Sequence, residues 1–266
     1  MSGNNILDEI VSTKLGEIET SKSFLPVEQL RDQLEAAPPV RDFHAAIAAD
    51  GPLKLIAEVK KASPSKGVIR EDFDPLEIAQ CYQQHGATCL SVLTDKNYFQ
   101  GSLQYLREIR QSVELPVLRK DFVLDSYQVV ESRAAGADAV LLIAECLDDD
   151  QLQALHDEIL KLGMTPLVEF YEEENLPRVL AIDAQLVGVN NRNLKTFDTD
   201  LNHVIQMRAQ IPPNRLVVAE SGIRSRADVN RLAAAGIDAM LVGEHLMAAR
   251  QIGTAVDQLL RSPPNQ

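Results

Sequence analysis

A short motif recurs three times along the chain at a regular interval. In each copy a glycine is followed by two residues and then by an apolar run, and the glycines are Gly86, Gly136 and Gly236. Their separations are 50 and 100 residues, which fits eight repeats of a helix–strand unit of about 25 residues. Each glycine is expected to end a helix before a strand begins. Such turns occur in any α/β fold, but the regular period favours a (β/α)8 barrel over a doubly wound sheet.

Five further apolar runs lie where this period requires strands. They cover residues 53–59, 116–120, 165–169, 185–189 and 215–219. Amphipathic stretches between the strands predict helices, for example at residues 75–84, 126–135 and 225–234. The sequence therefore predicts an α/β protein, a (β/α)8 TIM barrel, spanning residues 53–262, followed by a short tail at 263–266.

About fifty residues with helical patterns precede the first strand. Apolar residues at positions 6, 10, 11, 15 and 18 predict one amphipathic helix. Pro26 is typical of a helix start and opens a second helical stretch over residues 27–34. No low-complexity linker follows, so we interpret residues 1–52 as an N-terminal helical extension packed on the barrel.

Composition limits the partners and the compartment. The net charge of −13 argues against general affinity for nucleic acid but not against a small phosphorylated substrate. No apolar run is long enough for a membrane span, and the N-terminus does not resemble a signal peptide. Cys81, Cys89 and Cys146 lack metal-type spacing and fit a reducing cytoplasm. We expect a cytoplasmic protein, and no pattern indicates a protein partner.

Polar or ionisable residues follow six of the predicted strands. Because the carboxyl ends of parallel barrel strands meet at one face, these residues are expected to form one site. Ionised groups beside buried strands are costly unless they are paired, which favours function over packing. The strand ends are Glu58–Lys60, Arg119–Asp121, Val168–Glu169, Val189–Arg192, Ala219–Gly222 and Val242–Glu244.

The first strand and the loop after it carry the densest group of polar residues. Alternation along a strand places Glu58 and Lys60 on the same side, facing the barrel mouth. A simple structural ion pair is the alternative interpretation. Ser63 and Pro64 begin a rigid polar loop that either holds a phosphate or only shapes a turn.

Lys120 and Glu169 are candidates for acid–base chemistry. A lysine at a barrel strand end can be a Schiff-base nucleophile, a general acid or an anion anchor. Burial is expected to lower the pKa of Lys120 and so to ease proton donation near neutrality. Pairing of Lys120 with Asp121 is the structural alternative. Glu169 is a candidate base, and a carboxylate facing an ammonium can act as an acid–base couple.

The last three strands are predicted to form an anion-binding corner. Asn190 and Arg192 offer amide and guanidinium donors. Glu220 and Ser221 precede Gly222, and Gly243 follows the eighth strand. Glycine lets backbone N–H groups approach an anion, and this corner commonly binds phosphate in such barrels.

An apolar slot is predicted beside these polar groups. Phe99, Phe122, Pro64 and Leu141 are candidates to line it around an aromatic ring, with core packing as an equal alternative. Of the five histidines, His245 alone follows a strand end, and no cluster of metal-ligand residues is apparent. Chemistry without a metal is therefore favoured.

Six segments together resemble the indole-3-glycerol phosphate synthase family, which closes the indole ring in tryptophan biosynthesis. The resemblance extends over nearly the whole chain, including the helical N-terminal extension. The matching segments are Ile56–Gly67, Leu90–Ser102, Val117–Phe122, Val187–Leu194, Val218–Ile223 and Leu241–Met247.

The resemblance implies a reaction and roles for individual residues. The family converts 1-(2-carboxyphenylamino)-1-deoxyribulose 5-phosphate into indole-3-glycerol phosphate, with loss of CO2 and water and with no cofactor or metal. By resemblance, Lys120 is the general acid for ring closure. Lys60, positioned by Glu58, binds the anthranilate carboxylate and assists proton transfer. Glu169 is the acid or base of the dehydration.

The same resemblance assigns the remaining candidates. Asn190, Glu220 and Ser221 are implied to orient the substrate and to support the charge network. The residues implied to hold the phosphate are Ser63, Gly222 and Gly243, with Arg192 nearby, and those around the anthranilate ring are Phe99, Phe122 and Pro64. Glu244 and His245 depart from the small residues that are frequent after the eighth strand in the family, so only a backbone phosphate contact carries over there.

Three other functions remain as alternatives. A phosphoribosylanthranilate isomerase has the phosphate corner but does not require both lysines in these contexts. A Schiff-base aldolase forms a lysine adduct that borohydride traps. A catalytically silent scaffold is expected to lack at least one charged strand end, whereas all of them are present in this chain.

Overall fold

Eight parallel strands close into a barrel in a computed structural model that describes residues 6–193 and 197–261. Each strand pairs with the next along the chain, and the last pairs with the first. The strands are β1 (Lys54–Val59), β2 (Cys89–Leu93), β3 (Val117–Lys120), β4 (Ala139–Ile143), β5 (Thr165–Phe170), β6 (Leu186–Asn190), β7 (Leu216–Glu220) and β8 (Ala239–Val242). The predicted (β/α)8 barrel is confirmed.

Helices precede the barrel and connect its strands. The first three are α1 (Ile6–Phe24), α2 (Val27–Asp32) and α3 (Phe43–Ala48). Those between or after strands are α4 (Pro75–Gln84), α5 (Leu103–Ser112), α6 (Ser126–Ala134), α7 (Asp149–Lys161), α8 (Leu176–Ala181), α9 (Asn202–Arg208), α10 (Arg226–Ala234), α11 (Glu244–Ala248) and α12 (Ile252–Leu260). None of the helices in the described ranges combines the length and hydropathy needed to cross a bilayer.

The repeated glycine motif has a structural explanation that covers all three copies. Gly86, Gly136 and Gly236 adopt positive φ angles of 91°, 89° and 74°, which glycine tolerates without strain. The residue two positions later then accepts a hydrogen bond from a backbone N–H at the start of the preceding strand. The acceptors are Thr88 for Leu55 at 3.3 Å, Asp138 for Val117 at 2.8 Å and Asp238 for Val217 at 2.8 Å.

Inward-facing side chains fill the lower part of the barrel. They alternate with outward-facing residues along each strand, as the pleat requires. Phe43 and Ile47 of α3 belong to the same apolar cluster, so α3 closes the barrel end from which the strands start. The inward-facing members include Ile56, Cys89, Leu118, Ala139, Leu141, Leu167, Leu186, Val218 and Leu241.

The N-terminal helix α1 is fixed to the opposite end of the barrel by charge. The Lys14 ammonium is buried and lies 2.9 Å from Asp95 and 3.0 Å from Asp121, beyond the ends of β2 and β3. Of the predicted apolar face, Ile10 and Ile18 are buried but Leu15 is 51% exposed. The helix is rotated because Lys14 takes an inward position that the apolar pattern could not reveal. The division of the chain at residue 52 stays a prediction, and the tail at 263–266 lies outside the described residues.

Candidate active site

The carboxyl ends of the barrel strands surround a cavity of about 500 Å³. Every site residue predicted from the sequence lines this cavity. They are Glu58, Lys60, Ser63, Pro64, Phe99, Lys120, Phe122, Leu141, Glu169, Asn190, Arg192, Glu220, Ser221, Gly222 and Gly243.

Lys120 occupies the centre of the charged part of the cavity. Its ammonium lies 2.6 Å from the Glu169 carboxylate and 3.0 Å from that of Glu220. The Asn190 amide donates to the second oxygen of Glu169 at 3.0 Å. The alternative pairing of Lys120 with Asp121 is wrong. The Asp121 carboxylate forms ion pairs with Lys14 and Arg119 instead.

The charges around Lys120 reverse the pKa shift expected from burial. Burial alone lowers the pKa of Lys120, but the negative charges of Glu169 and Glu220 outweigh it and raise that pKa above its ordinary value. The expectation of a lowered lysine pKa is therefore wrong.

The pKa values of the two carboxyls beside this lysine, Glu169 and Glu220, are shifted in opposite directions. Burial opposes ionisation of Glu169, but the charge of Lys120 outweighs it and lowers the pKa. Burial and then the charge of Glu169 raise the pKa of Glu220 well above its ordinary value. Of the two carboxyls, Glu220 is therefore the one that keeps its proton to the higher pH.

Two glycines provide the space that the buried carboxylates occupy. A Cβ atom on Gly188 would lie 2.5 Å from Glu220 Oε1. A Cβ atom on Gly243 would overlap the Glu58 carboxylate in the same way. Sequence reasoning missed Gly188, although a glycine inside a strand is a recognised sign of close approach by another group.

The first strand contributes a second buried ion pair. The Lys60 ammonium lies 2.6 Å from the Glu58 carboxylate, and both face the cavity as the strand alternation predicts. The chain then forms a short hairpin from Ala62–Ser63 and Gly67–Val68. The Ser63 hydroxyl is buried and has no hydrogen-bond partner within the described part of the chain, so it is available to a bound ligand.

The corner formed by the last three strands holds a turn in an unusual backbone conformation. Ser221 and Gly222 both have positive φ angles, 67° and 80°, and such a conformation in a non-glycine residue costs energy. Asn191 supports the turn, because its buried amide donates to the carbonyl oxygens of Glu220 and Ser221 at 2.9 and 3.2 Å. Sequence reasoning did not select Asn191.

The same corner carries an ion pair at its rim. The Arg192 guanidinium donates to Glu244 at 2.8 Å and to the Ser65 hydroxyl at 3.3 Å. Arg224 and His245 also line the cavity here and were not predicted as site residues.

The opposite wall of the cavity is apolar. The rings of Phe99 and Phe122 are tilted toward each other, with centroids 6.2 Å apart. Helix α1 adds a lining that the sequence reasoning missed, since it placed this helix against the barrel without a role in the site. The added residues are Ile6, Leu7 and Ile10.

A family model described as indole-3-glycerol phosphate synthase matches residues 7–259. The chain belongs to the indole-3-glycerol phosphate synthase family. A synthase of that name from Rhodopirellula baltica is 52% identical over 257 residues, covering 97% of this chain and 99% of that protein. The one from Leptothrix cholodnii is 51% identical over 259 residues, with 96% and 99% covered.

Solved structures with the same fold are far more distant in sequence. The 3-hexulose-6-phosphate synthase of Salmonella typhimurium superposes with a TM-score of 0.64 at 16% identity, covering 78% of this chain and 96% of that one. A second structure of a 3-hexulose-6-phosphate synthase gives a TM-score of 0.62 at 15% identity, covering 78% and 98%. These likenesses support the barrel fold and nothing finer.

The described parts of the family's barrel in this chain contain no group of three or more His, Cys, Asp or Glu side chains arranged to hold a metal ion. The carboxylates of the cavity are instead paired with Lys60, Lys120 and Arg192. The arrangement is suited to moving protons and to binding an anionic molecule with an apolar ring.

Proposed function

We propose that this chain converts 1-(2-carboxyphenylamino)-1-deoxyribulose 5-phosphate into indole-3-glycerol phosphate, acting as a carboxy-lyase in tryptophan biosynthesis. The observation that carries the proposal is the position of Lys120 between Glu169 and Glu220. This charged centre lies in a cavity with an aromatic slot and an anion corner, in a chain of the synthase family.

The apolar wall fits the anthranilate ring of this substrate. Phe99 and Phe122, with Pro64 and Leu141, offer ring and aliphatic surfaces on which an aromatic ring packs well. The Lys60 ammonium, fixed by Glu58, would bind the ring carboxylate and hold it for loss as CO2.

Lys120 would act as the general acid of ring closure. It would give a proton to the ketone oxygen as the ring carbon bearing the carboxylate attacks the ketone carbon. Loss of CO2 restores the aromatic ring. The new hydroxyl then takes a proton from the Lys60 ammonium and leaves as water, while the neighbouring CH2 of the new ring gives up a proton, which completes the indole. Glu169, which is ionised beside Lys120, would accept the proton removed in that dehydration.

The corner of the last three strands would hold the phosphate. The backbone N–H groups of Gly222 and Gly243 and the unpartnered hydroxyl of Ser63 are suitable donors. Arg192 adds a positive charge at the same corner. The substrate would be held in position relative to Lys120 by Asn190, Glu220 and Ser221.

The test is to mix the purified chain with the synthetic substrate and follow indole fluorescence. Product formation supports the proposal, and Lys120→Ala is expected to lower kcat by about 10²–10⁴-fold while the chain stays folded. Near-normal kcat in Lys120→Ala would remove the general-acid role.

Two further measurements separate the alternatives. Phosphoribosylanthranilate is supplied as a second substrate to detect isomerase activity. Borohydride is added during turnover, because a lysine adduct of an aldolase would be trapped while a general acid would not. Absence of product from the folded wild-type chain would refute the proposed reaction. We also propose a cytoplasmic location, which cell fractionation tests.

A further inference from the structure

The carboxylates of the cavity differ in how freely they can move. Three of the cations that line it have a carboxylate partner: Lys60 pairs with Glu58, Lys120 with Glu169 and Glu220, and Arg192 with Glu244. The side chains of Glu58, Glu169 and Glu220 are 4%, 4% and 3% exposed. Glu244 is 26% exposed, so among these four it alone can turn into water without crossing packed atoms.

Glu244 also stands where cations converge on the anion corner. It follows Gly243 directly, and its carboxylate accepts from the Arg192 guanidinium at 2.8 Å. Burial opposes its ionisation, but Arg192 and the ammonium groups of Lys66 and Lys60 lower the pKa of Glu244 below its ordinary value. The ionised Glu244 carboxylate is therefore bound to the Arg192 guanidinium, which faces the corner.

We propose that Glu244 is a displaceable counter-ion, which neutralises Arg192 in the empty site and releases it to the phosphate of the substrate. The proposal rests on the proposed function for the identity of the natural ligand. A doubly charged phosphate binds a guanidinium through two parallel hydrogen bonds and competes well with one carboxylate. Glu244 then sets the affinity for anions, because each ligand must first displace it.

A structural ion pair would have the opposite effect. If Glu244 only positioned Arg192 for the ligand, removing its charge would weaken anion binding. If Glu244 competes with the ligand, removing its charge strengthens binding. The sign of the change in affinity therefore decides between the two roles.

The experiment compares the wild-type chain with Glu244→Gln, a variant of nearly equal size. The dissociation constant for inorganic phosphate is measured by calorimetry at constant pH and ionic strength. We expect phosphate to bind about threefold to tenfold more tightly to Glu244→Gln. Equal or weaker binding would overturn the proposal, as would the lack of any phosphate binding to either protein.

Two further variants show whether the gain passes through Arg192. In the double variant Arg192→Gln/Glu244→Gln, phosphate is expected to bind no more tightly than to wild type. Binding tighter than wild type in this double variant would contradict the proposal. Glu174→Gln removes the same charge from an exposed residue outside the cavity and is expected to leave phosphate binding unchanged. An equal gain in this control would mean that overall charge is responsible, which also contradicts the proposal.

Kinetics with the synthetic substrate give an independent readout. The KM of Glu244→Gln is expected to fall by a factor similar to that found for phosphate, with a smaller change in kcat. A rise in KM would contradict the counter-ion role. Phosphate binding needs no turnover, so a wild-type chain that forms no product would refute the proposed reaction and leave the test of Glu244 intact.

Discussion

Gly188 offers the sharpest test of how the charged centre is built. In Gly188→Ala the new Cβ atom would lie 2.5 Å from Glu220 Oε1, whereas ordinary contacts begin at 3.4 Å. The two atoms must therefore separate by about 0.9 Å. The Cβ atom itself has little room to move, because the Cα and Cβ atoms of Glu169 already lie 3.3 and 3.4 Å from it. The carboxylate of Glu220 has to move instead.

That movement acts directly on the central lysine. The other oxygen of Glu220 lies 3.0 Å from the Lys120 ammonium, and a shift of nearly 1 Å lengthens or breaks this contact. Displacements of about 1 Å in an active site can lower the rate about 100-fold. We therefore expect kcat/KM for the synthetic substrate to fall about 100-fold in Gly188→Ala, which corresponds to about 2.7 kcal/mol. Overpacking is expected to cost a further 1–3 kcal/mol, roughly, of unfolding free energy.

The control uses a glycine with free space around it. Gly16 lies in helix α1, and a Cβ atom there meets nothing within 4 Å. Gly16→Ala is expected to leave kcat/KM unchanged and to raise stability by up to about 1 kcal/mol. Steady-state kinetics and urea unfolding are measured for both variants. If kcat/KM of Gly188→Ala stayed within threefold of wild type, the carboxylate position would not matter to the rate and the reasoning would fail.

Three other predictions concern stability and its link to the site. Lys14→Met leaves the buried carboxylate of Asp95 without its cation and leaves Asp121 with Arg119 alone. It is expected to cost about 3–5 kcal/mol in urea unfolding, against less than about 1 kcal/mol for Lys22→Met, whose ion pairs are more exposed. Because the folded-state pKa of Glu220 is raised, its contribution is lost as pH rises above about 4.3 toward the folded-state pKa. The unfolding free energy of wild type should therefore fall relative to that of Glu220→Gln as pH rises, by at most about 1.4 kcal/mol per pH unit; parallel pH profiles would contradict this. Asn191→Ala removes the side-chain amide that donates to the carbonyl oxygens of Glu220 and Ser221, and only Glu220 keeps the backbone N–H of residue 191 as a donor. The variant should cost about 1–3 kcal/mol in thermal or urea unfolding while raising KM more than it lowers kcat, and an unchanged KM would separate the turn from the anion corner.

The fold was predictable because its repeated helix-to-strand turn depends on residues that are close together in the sequence. A positive φ angle strongly favours glycine, and the residue two positions later must accept a hydrogen bond from the preceding strand. Both requirements act over a few residues, so they leave a pattern at Gly86, Gly136 and Gly236. The rotation of α1 was not predictable, because the two buried carboxylates that pair with Lys14, Asp95 and Asp121, lie 81 and 107 residues further along the chain.

The identities of the site residues were predictable, whereas their pairing and protonation were not read from the sequence. A residue at a strand end can be recognised in the sequence because it follows an apolar run, as Lys120 and Glu169 do. Its pKa depends on which other strand ends face it across the barrel, and burial alone gave the wrong direction for Lys120. The space beside the Glu169 and Glu220 carboxylates depends on Gly188, which lies on the strand between theirs, β6. Gly188 was therefore not selected when each strand was considered by itself.

The pairing nevertheless follows from barrel geometry once the strands are numbered. Side chains inside such a barrel lie in layers, each contributed by alternate strands. Glu58, Lys120, Glu169 and Glu220 stand on β1, β3, β5 and β7, so all four belong to odd strands, and the charges of the three glutamates act on that one lysine. One cation between the carboxyls of Glu169 and Glu220 cannot leave both of them ionised at low cost, since like charges in a buried site disfavour each other's ionisation. The pKa of Glu220 is therefore raised by its burial and by Glu169 in the same layer, and the charge of Lys120 offsets only part of this rise.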